Sequence, residues 1–141
     1  MKVRCRDQAL ASALGEEGKG LVFVADPDVS DRWQDVRAEL HEAFALTKQA
    51  AIEGEPVVYI VRGDDLLGRN GIGAAMAATA LLSGARTASL EAKESAINVL
   101  AIEEQSGPGA VAAWAWHLLN SEGPRGELVR LGGSHLGKAL P

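Results

Sequence analysis

Val57-Val58-Tyr59-Ile60-Val61 and Ile97-Asn98-Val99-Leu100-Ala101-Ile102 are two short runs dominated by Val, Ile and Leu, and a long helix-forming stretch separates them. Runs of this length without polar alternation mark strands buried on both faces. An antiparallel pair closes with a tight turn, whereas a helix-length connection marks a parallel crossover. Further apolar runs occur at Leu21 to Val24 and Leu128 to Leu131, with a shorter one around Val3. Helical stretches fill the intervals at 9–15, 31–52, 72–92 and 110–119. Strands alternating with helices of this length predict an α/β fold: a mostly parallel sheet of about five strands with helices on both faces.

Two of the helices differ in kind. Residues 31–52 open with Ser30 as the expected N-cap and Asp31 in the first turn, where a carboxylate favours the helix dipole. Trp33, Val36, Leu40, Ala43, Phe44 and Leu46 then recur at three-and-four spacing, which predicts one buried face. From Ile72 to Ala85 the next helix carries no charge on any side and is largely alanine, so it is expected to be covered all round. Ala74, Ala77, Ala78, Leu81 and Ala85 line up as a stripe that permits close approach of another helix, within the chain or across a subunit boundary.

The 141 residues suit one domain, 1–141, and carry a formal charge of -5. No cluster of Lys and Arg is present to displace counterions from nucleic acid or to hold an anionic membrane. The uncharged stretch 70–85 falls short of a bilayer span and is interrupted by Gly71, Gly73 and Gly84. Met1-Lys2-Val3-Arg4 runs into Asp7 instead of an apolar segment, which argues against a secretory signal. The sole cysteine, Cys5, permits no internal disulfide, and a cytoplasmic setting is expected.

The order of these elements resembles the catalytic half of the short-chain dehydrogenase/reductase superfamily. Ala25-Asp26-Pro27 followed by Asp31-Arg32-Trp33 is similar to the family's strand end and tryptophan-containing helix start. Thr47-Lys48-Gln49-Ala50-Ala51 before Val57 to Val61, and Ala88-Ser89-Leu90-Glu91 before Ala96 to Ile102, resemble the helix ends and strands that follow. Trp114 to Leu119, Gly126 to Leu131 and Gly132-Gly133 are similar to its closing helix, last strand and glycine pair. The resemblance implies a Rossmann-like three-layer fold that begins at what resembles the third strand, Val3 to Asp7, and so lacks the first βαβ unit and its phosphate-binding turn. It also places Ala74 and Ala78 where the family carries its catalytic tyrosine and lysine. The catalytic serine position falls near Val61 or Arg62, and Glu39 stands where the family has an asparagine. An alanine can neither donate a proton nor hold a ribose hydroxyl, so carbonyl reduction by that mechanism is not expected.

Three expectations about function follow. The first is a catalytically degenerate, non-enzymatic scaffold or regulatory subunit without a cofactor. It would form a homodimer or homotetramer through helices 31–52 and 72–92, or join a full-length reductase. The expected contact residues are Leu40, Phe44, Ala74, Ala77, Ala78, Leu81 and Ala85. The second is a small-molecule enzyme of changed chemistry, such as a lyase, isomerase or hydrolase. Asp64, Asp65 and Glu103 would be its candidate catalytic groups, on an acidic rim with Glu104 and Arg62 that could also hold a divalent cation. The third is NAD(P) binding at Gly68-Arg69-Asn70-Gly71-Ile72-Gly73, with Gly68, Gly71 and Gly73 as the cofactor-binding candidates. His41, His117 and His135 share no metal-ligand spacing, and Ser134-His135 forms no nucleophile elbow. Cys5 is expected to be a buried strand residue. Trp114 and Trp116 are expected to point different ways.

Overall fold

The structure, a computed structural model, describes residues 1–133. Five strands, β1 (Lys2–Arg4), β2 (Leu21–Val24), β3 (Val57–Arg62), β4 (Ile97–Ile102) and β5 (Leu128–Leu131), form one sheet in the order β1-β2-β3-β4-β5. Every neighbouring pair is parallel, with Val57 opposite Ile97 and Arg62 opposite Ile102 in the central pair. The helices are α1 (Gln8–Leu14), α2 (Trp33–Ile52), the one-turn α3 (Gly63–Leu66), α4 (Ile72–Glu91) and α5 (Pro108–Leu119). This is a Rossmann-like three-layer α/β fold, and its parallel sheet with helices on both faces is what the strand and helix pattern predicts. The short α3 has no counterpart in the sequence reading, because four residues are too few to show a helical period.

Alternate residues of the central strands feed two separate cores. Tyr59, Val61, Val99 and Ala101 pack with Ala43 and Ala50 of α2 and with Ala78, Leu81 and Ala85 of α4. Val58, Ile60 and Leu100 pack on the opposite face with Leu10 and Leu14 of α1 and Val111, Ala115 and Leu118 of α5. All four crossovers step the same way across the sheet, so helices on opposite faces must wind with opposite hands. One pair of crossovers, α1 with α5 or α2 with α4, therefore departs from the usual right-handed rule.

The buried face of α2 differs from the apolar stripe expected of it. Val36, Glu39, Ala43, Thr47 and Ala50 are buried, whereas Trp33 and Phe44 are exposed. Two polar side chains take inward places because each finds a partner there, which offsets its loss of water. Glu39 accepts from Arg4 Nη1 at 3.0 Å and from the Asp26 backbone N–H at 2.7 Å, and it also pairs with Arg4 Nη2. The Arg4 guanidinium further reaches Glu42 and the Val24 carbonyl and lies 4.6 Å over the Phe23 ring. Burial works to lower the Arg4 pKa, but the hydrogen bonds and charges of Glu42 and Glu39 outweigh it and leave the pKa raised. Thr47 donates to the Ala43 carbonyl at 2.8 Å and lies 2.5 Å from the Tyr59 hydroxyl. With its single proton committed to that carbonyl, Thr47 accepts from Tyr59.

The small stripe of α4 serves the monomer. Ala74, Ala77, Ala78, Leu81 and Ala85 are all buried within this chain, so the expected subunit contact through them is corrected. Small side chains let α4 sit close to the sheet and to α2. At Gly84 an added Cβ would come within 2.8 Å of the Phe44 ring, which therefore lies across the helix backbone. The expectation of cover on every side from Ile72 to Ala85 is also corrected, since Ile72 and Met76 are exposed.

Two measurements test this arrangement. Glu39→Ala leaves Arg4 with only Glu42 to balance it in a mostly buried setting, and about 2 kcal/mol of unfolding free energy should be lost in chemical denaturation. Tyr59 is the only tyrosine, and burial raises its pKa. The folded state thus holds the phenolic proton more tightly than the unfolded chain. Stability from this group is complete below about pH 10 and is lost as pH rises through the higher folded value. Phenolate absorbance should therefore appear only as helical circular dichroism is lost at high pH. Ordinary titration in the intact fold would contradict this packing.

Candidate functional site at the carboxyl ends of the strands

Adjacent strands whose connections leave to opposite faces open a crevice beyond their carboxyl ends. Here β1 and β4 lead to α1 and α5 on one face, while β2 and β3 lead to α2 and α4 on the other. Divergence therefore occurs twice, between β1 and β2 and between β3 and β4. A cavity of about 460 Å³ lies over this edge, with Leu10, Val24, Ile60 and Ile102 among its walls and Arg6, Asp26, Asp28 and Glu104 at its charged boundary. A second, of about 280 Å³, lies between β3 and β4 and is lined by Arg62, Asp64, Arg69, Asn70, Glu103 and Arg130 among others.

The candidate carboxylates reach this edge but do not act together. Asp65 is buried and accepts two hydrogen bonds from Arg62, both at 2.9 Å, and one from Asn70 Nδ2 at 2.8 Å. Asp64, its neighbour in the one-turn α3, points away and pairs with the exposed Arg69 at 2.8 Å. Glu103 pairs with Arg130, accepts from Gln105 Nε2 at 2.5 Å and accepts from the Gly133 N–H at 3.1 Å. Arg62 also donates to the Pro27 carbonyl at 2.7 Å, which ties the loop after β2 to the end of β3. Apart from the exposed Glu104, the expected acidic mouth is thus a set of locally matched pairs, and among the described residues no three His, Cys, Asp or Glu side chains gather to hold a metal ion.

The glycine-rich loop is held by a carboxylate of the chain itself. Asp31 Oδ1 accepts from the Gly73 N–H at 2.7 Å, at the start of α4. A Cβ at Gly73 would fall 2.2 Å from the Ser30 carbonyl oxygen, so the segment before α2 is pressed onto the loop. Gly68 and Gly71 adopt positive φ angles of 69° and 120° and shape the turn. A cofactor phosphate seeking this helix N-terminus would have to displace Asp31. The expectation for α2 is corrected here as well: Asp31 satisfies α4, and Ser30 neither caps α2 nor starts it, since α2 begins at Trp33 behind Arg32. Ser30 instead accepts from the Arg32 N–H and donates to Asp35.

The remaining candidates are dispersed. Ala74 and Ala78 are buried methyl groups, and Val61 is buried in the sheet. His41 lies on the exposed side of α2, while His117 of α5 meets Trp114 edge-on at 5.6 Å. Ser134 and His135 lie outside the described residues. Cys5 is half-buried just past β1, and burial pushes its thiol pKa up, which disfavours the reactive thiolate. Trp116 donates its indole N–H to the Leu14 carbonyl at 3.2 Å, joining α5 to α1, while Trp114 is exposed. The sequence reading missed Arg6, Asp26 and Asp28 at the first crevice. Their signal was their place just after strand runs, but β1 and β2 are short and the divergence that opens the crevice is tertiary.

Comparison of the sequence with family models and with curated proteins returns no match. The Asp31 contact supplies a direct test of the loop. Asp31→Ala frees a helix N-terminus and should cost about 1 kcal/mol of stability, measurable by thermal unfolding. An unchanged unfolding midpoint would show that the cross-helix cap carries no weight.

Proposed function

We propose that this chain is a non-catalytic, oligomer-forming scaffold or regulatory subunit of short-chain-dehydrogenase type, docking through the outer face of α2 and α4. The observation that carries the reading is where the large apolar side chains are exposed. Trp33 (58% exposed), Phe44 (43%) and Ile52 (77%) lie on α2, and Ile72, Met76 and Leu90 (80%) lie on α4. The other large hydrophobic exposed among the described residues is Trp114 on α5. Large apolar side chains exposed on two adjacent helices favour a protein partner. Between the two helices a groove of about 500 Å³ runs past Phe44, Ile52, Gly84 and Ala88, with Lys48 and Glu91 beside it.

The chemistry of the rim supports a non-catalytic role. Asp64, Asp65 and Glu103 are each engaged by an arginine, an arrangement that suits loop anchoring better than proton transfer. The positions that the resemblance assigns to tyrosine and lysine, Ala74 and Ala78, offer no ionisable group. The contact surface of this proposal is reduced to Leu40, Phe44 and the exposed residues beside them, because the alanine stripe is consumed within the chain. A second copy of the chain, or an intact reductase presenting equivalent helices, would be its partner.

Sedimentation of the purified chain should give a dimer or tetramer. The double substitution Phe44→Glu and Ile52→Glu changes only exposed positions and should yield a folded monomer. A wild-type monomer at high concentration, in the absence of a reductase that binds it, would refute the proposal.

A further inference from the structure

We propose that the crevice beyond β1 to β4 binds a small organic cation, an amine joined to an apolar body. This site is separate from the α2 and α4 surface and uses none of the expected catalytic carboxylates as its direct contact. Its volume of about 460 Å³ falls in the range of small-molecule sites. Its lower wall is apolar, formed by Leu10, Val24, Ile60 and Ile102 from α1 and three different strands. These side chains belong to, or pack against, the core shared with α5, which anchors the wall.

Charge at the boundary decides the class of ligand. Five carboxylates, Asp7, Asp26, Asp28, Glu103 and Glu104, line the cavity against two guanidiniums, Arg6 and Arg62. Most are already engaged. Asp7 caps α1 through the Leu10 N–H at 2.8 Å, Asp26 pairs with Arg6, Arg62 is held by Asp65, and Glu103 pairs with Arg130. Asp28 and Glu104 lie on the loops after β2 and β4, and both are exposed. They leave an excess of negative charge over an apolar floor. An anionic ligand would meet that charge directly, and an uncharged one would use only the floor. An amine with an apolar body satisfies both, its ammonium at the mouth near Asp28 and Glu104 and its body against Ile60 and Ile102.

Dansylcadaverine, a fluorescent amine, and dansylglycine, which carries the same dye on a carboxylate, test the selection at low ionic strength. Dansylcadaverine should bind saturably with a blue-shifted, brightened emission, and dansylglycine should bind at least about tenfold more weakly. The double substitution Asp28→Lys and Glu104→Lys alters only exposed side chains and should weaken dansylcadaverine by about tenfold or more while strengthening dansylglycine. Equal affinity for the two dyes would overturn the proposal, as would binding insensitive to the reversal or no saturable binding. Phe44→Glu with Ile52→Glu should leave dansylcadaverine binding unchanged. Loss of dye binding in that variant would assign the dye to the α2 and α4 groove and likewise overturn the proposal. Failure of the crevice and failure of the docking face are thus read separately, one by dye selectivity and the other by sedimentation.

Discussion

The burial of β3 and β4 on both faces is the constraint on which the rest of this structure depends. Neither strand has a polar side to turn to water, so helices must cover the sheet from above and below. Parallel pairing supplies those helices, because each strand must be followed by a crossover long enough to return to the start of the sheet. The chain then does something less usual with this material. It adds strands in sequence order across the sheet yet distributes the crossovers between two faces, which makes two hands of connection unavoidable. The same distribution opens the two crevices at the carboxyl ends.

Polar side chains stitch the layers where apolar packing alone would leave the elements free to slide. Glu39 joins α2 to β1 through Arg4 and to the end of β2 through the Asp26 N–H. Asp31 joins the segment before α2 to the start of α4, and Arg62 joins the end of β3 to the loop after β2. Each of these groups lies in or beside the region where a ligand would sit in an open α/β sheet. Charges that resemble catalytic equipment in the sequence are therefore spent on joining loops. The remaining negative charge, at Asp28 and Glu104, lies on exposed side chains of the loops after β2 and β4.

Much of the architecture was legible. The five apolar runs became five strands, and the four helical stretches were correct to within two residues at each end, apart from the missed single turn at Gly63–Leu66. What failed was the assignment of faces. Trp33 and Phe44 carry the strongest hydrophobic signal on α2 yet face outward, while Glu39 and Thr47 face inward. A hydrophobic period cannot report a buried hydrogen bond whose partner lies far along the chain, as Arg4 lies from Glu39. The alanine stripe was visible as a close-packing surface, but its partner proved to be this chain's own sheet and α2. At the site, Asp64, Asp65 and Glu103 were located on the correct edge, while their arginine partners were not assigned to them, apart from Arg62 as a neighbour on the rim.

Local sequence pattern sets the class of fold and the list of elements, because apolar runs and helix lengths force parallel crossovers. It also determined the absence of ionisable groups at Ala74 and Ala78, since no packing can add chemistry to a methyl group. Which face each helix covers, where the crossovers diverge and which charges meet are settled in three dimensions. Those outcomes depend on contacts between residues distant in the chain, such as Asp31 with Gly73 and Arg4 with Glu39, and no local pattern encodes a partner's position in space.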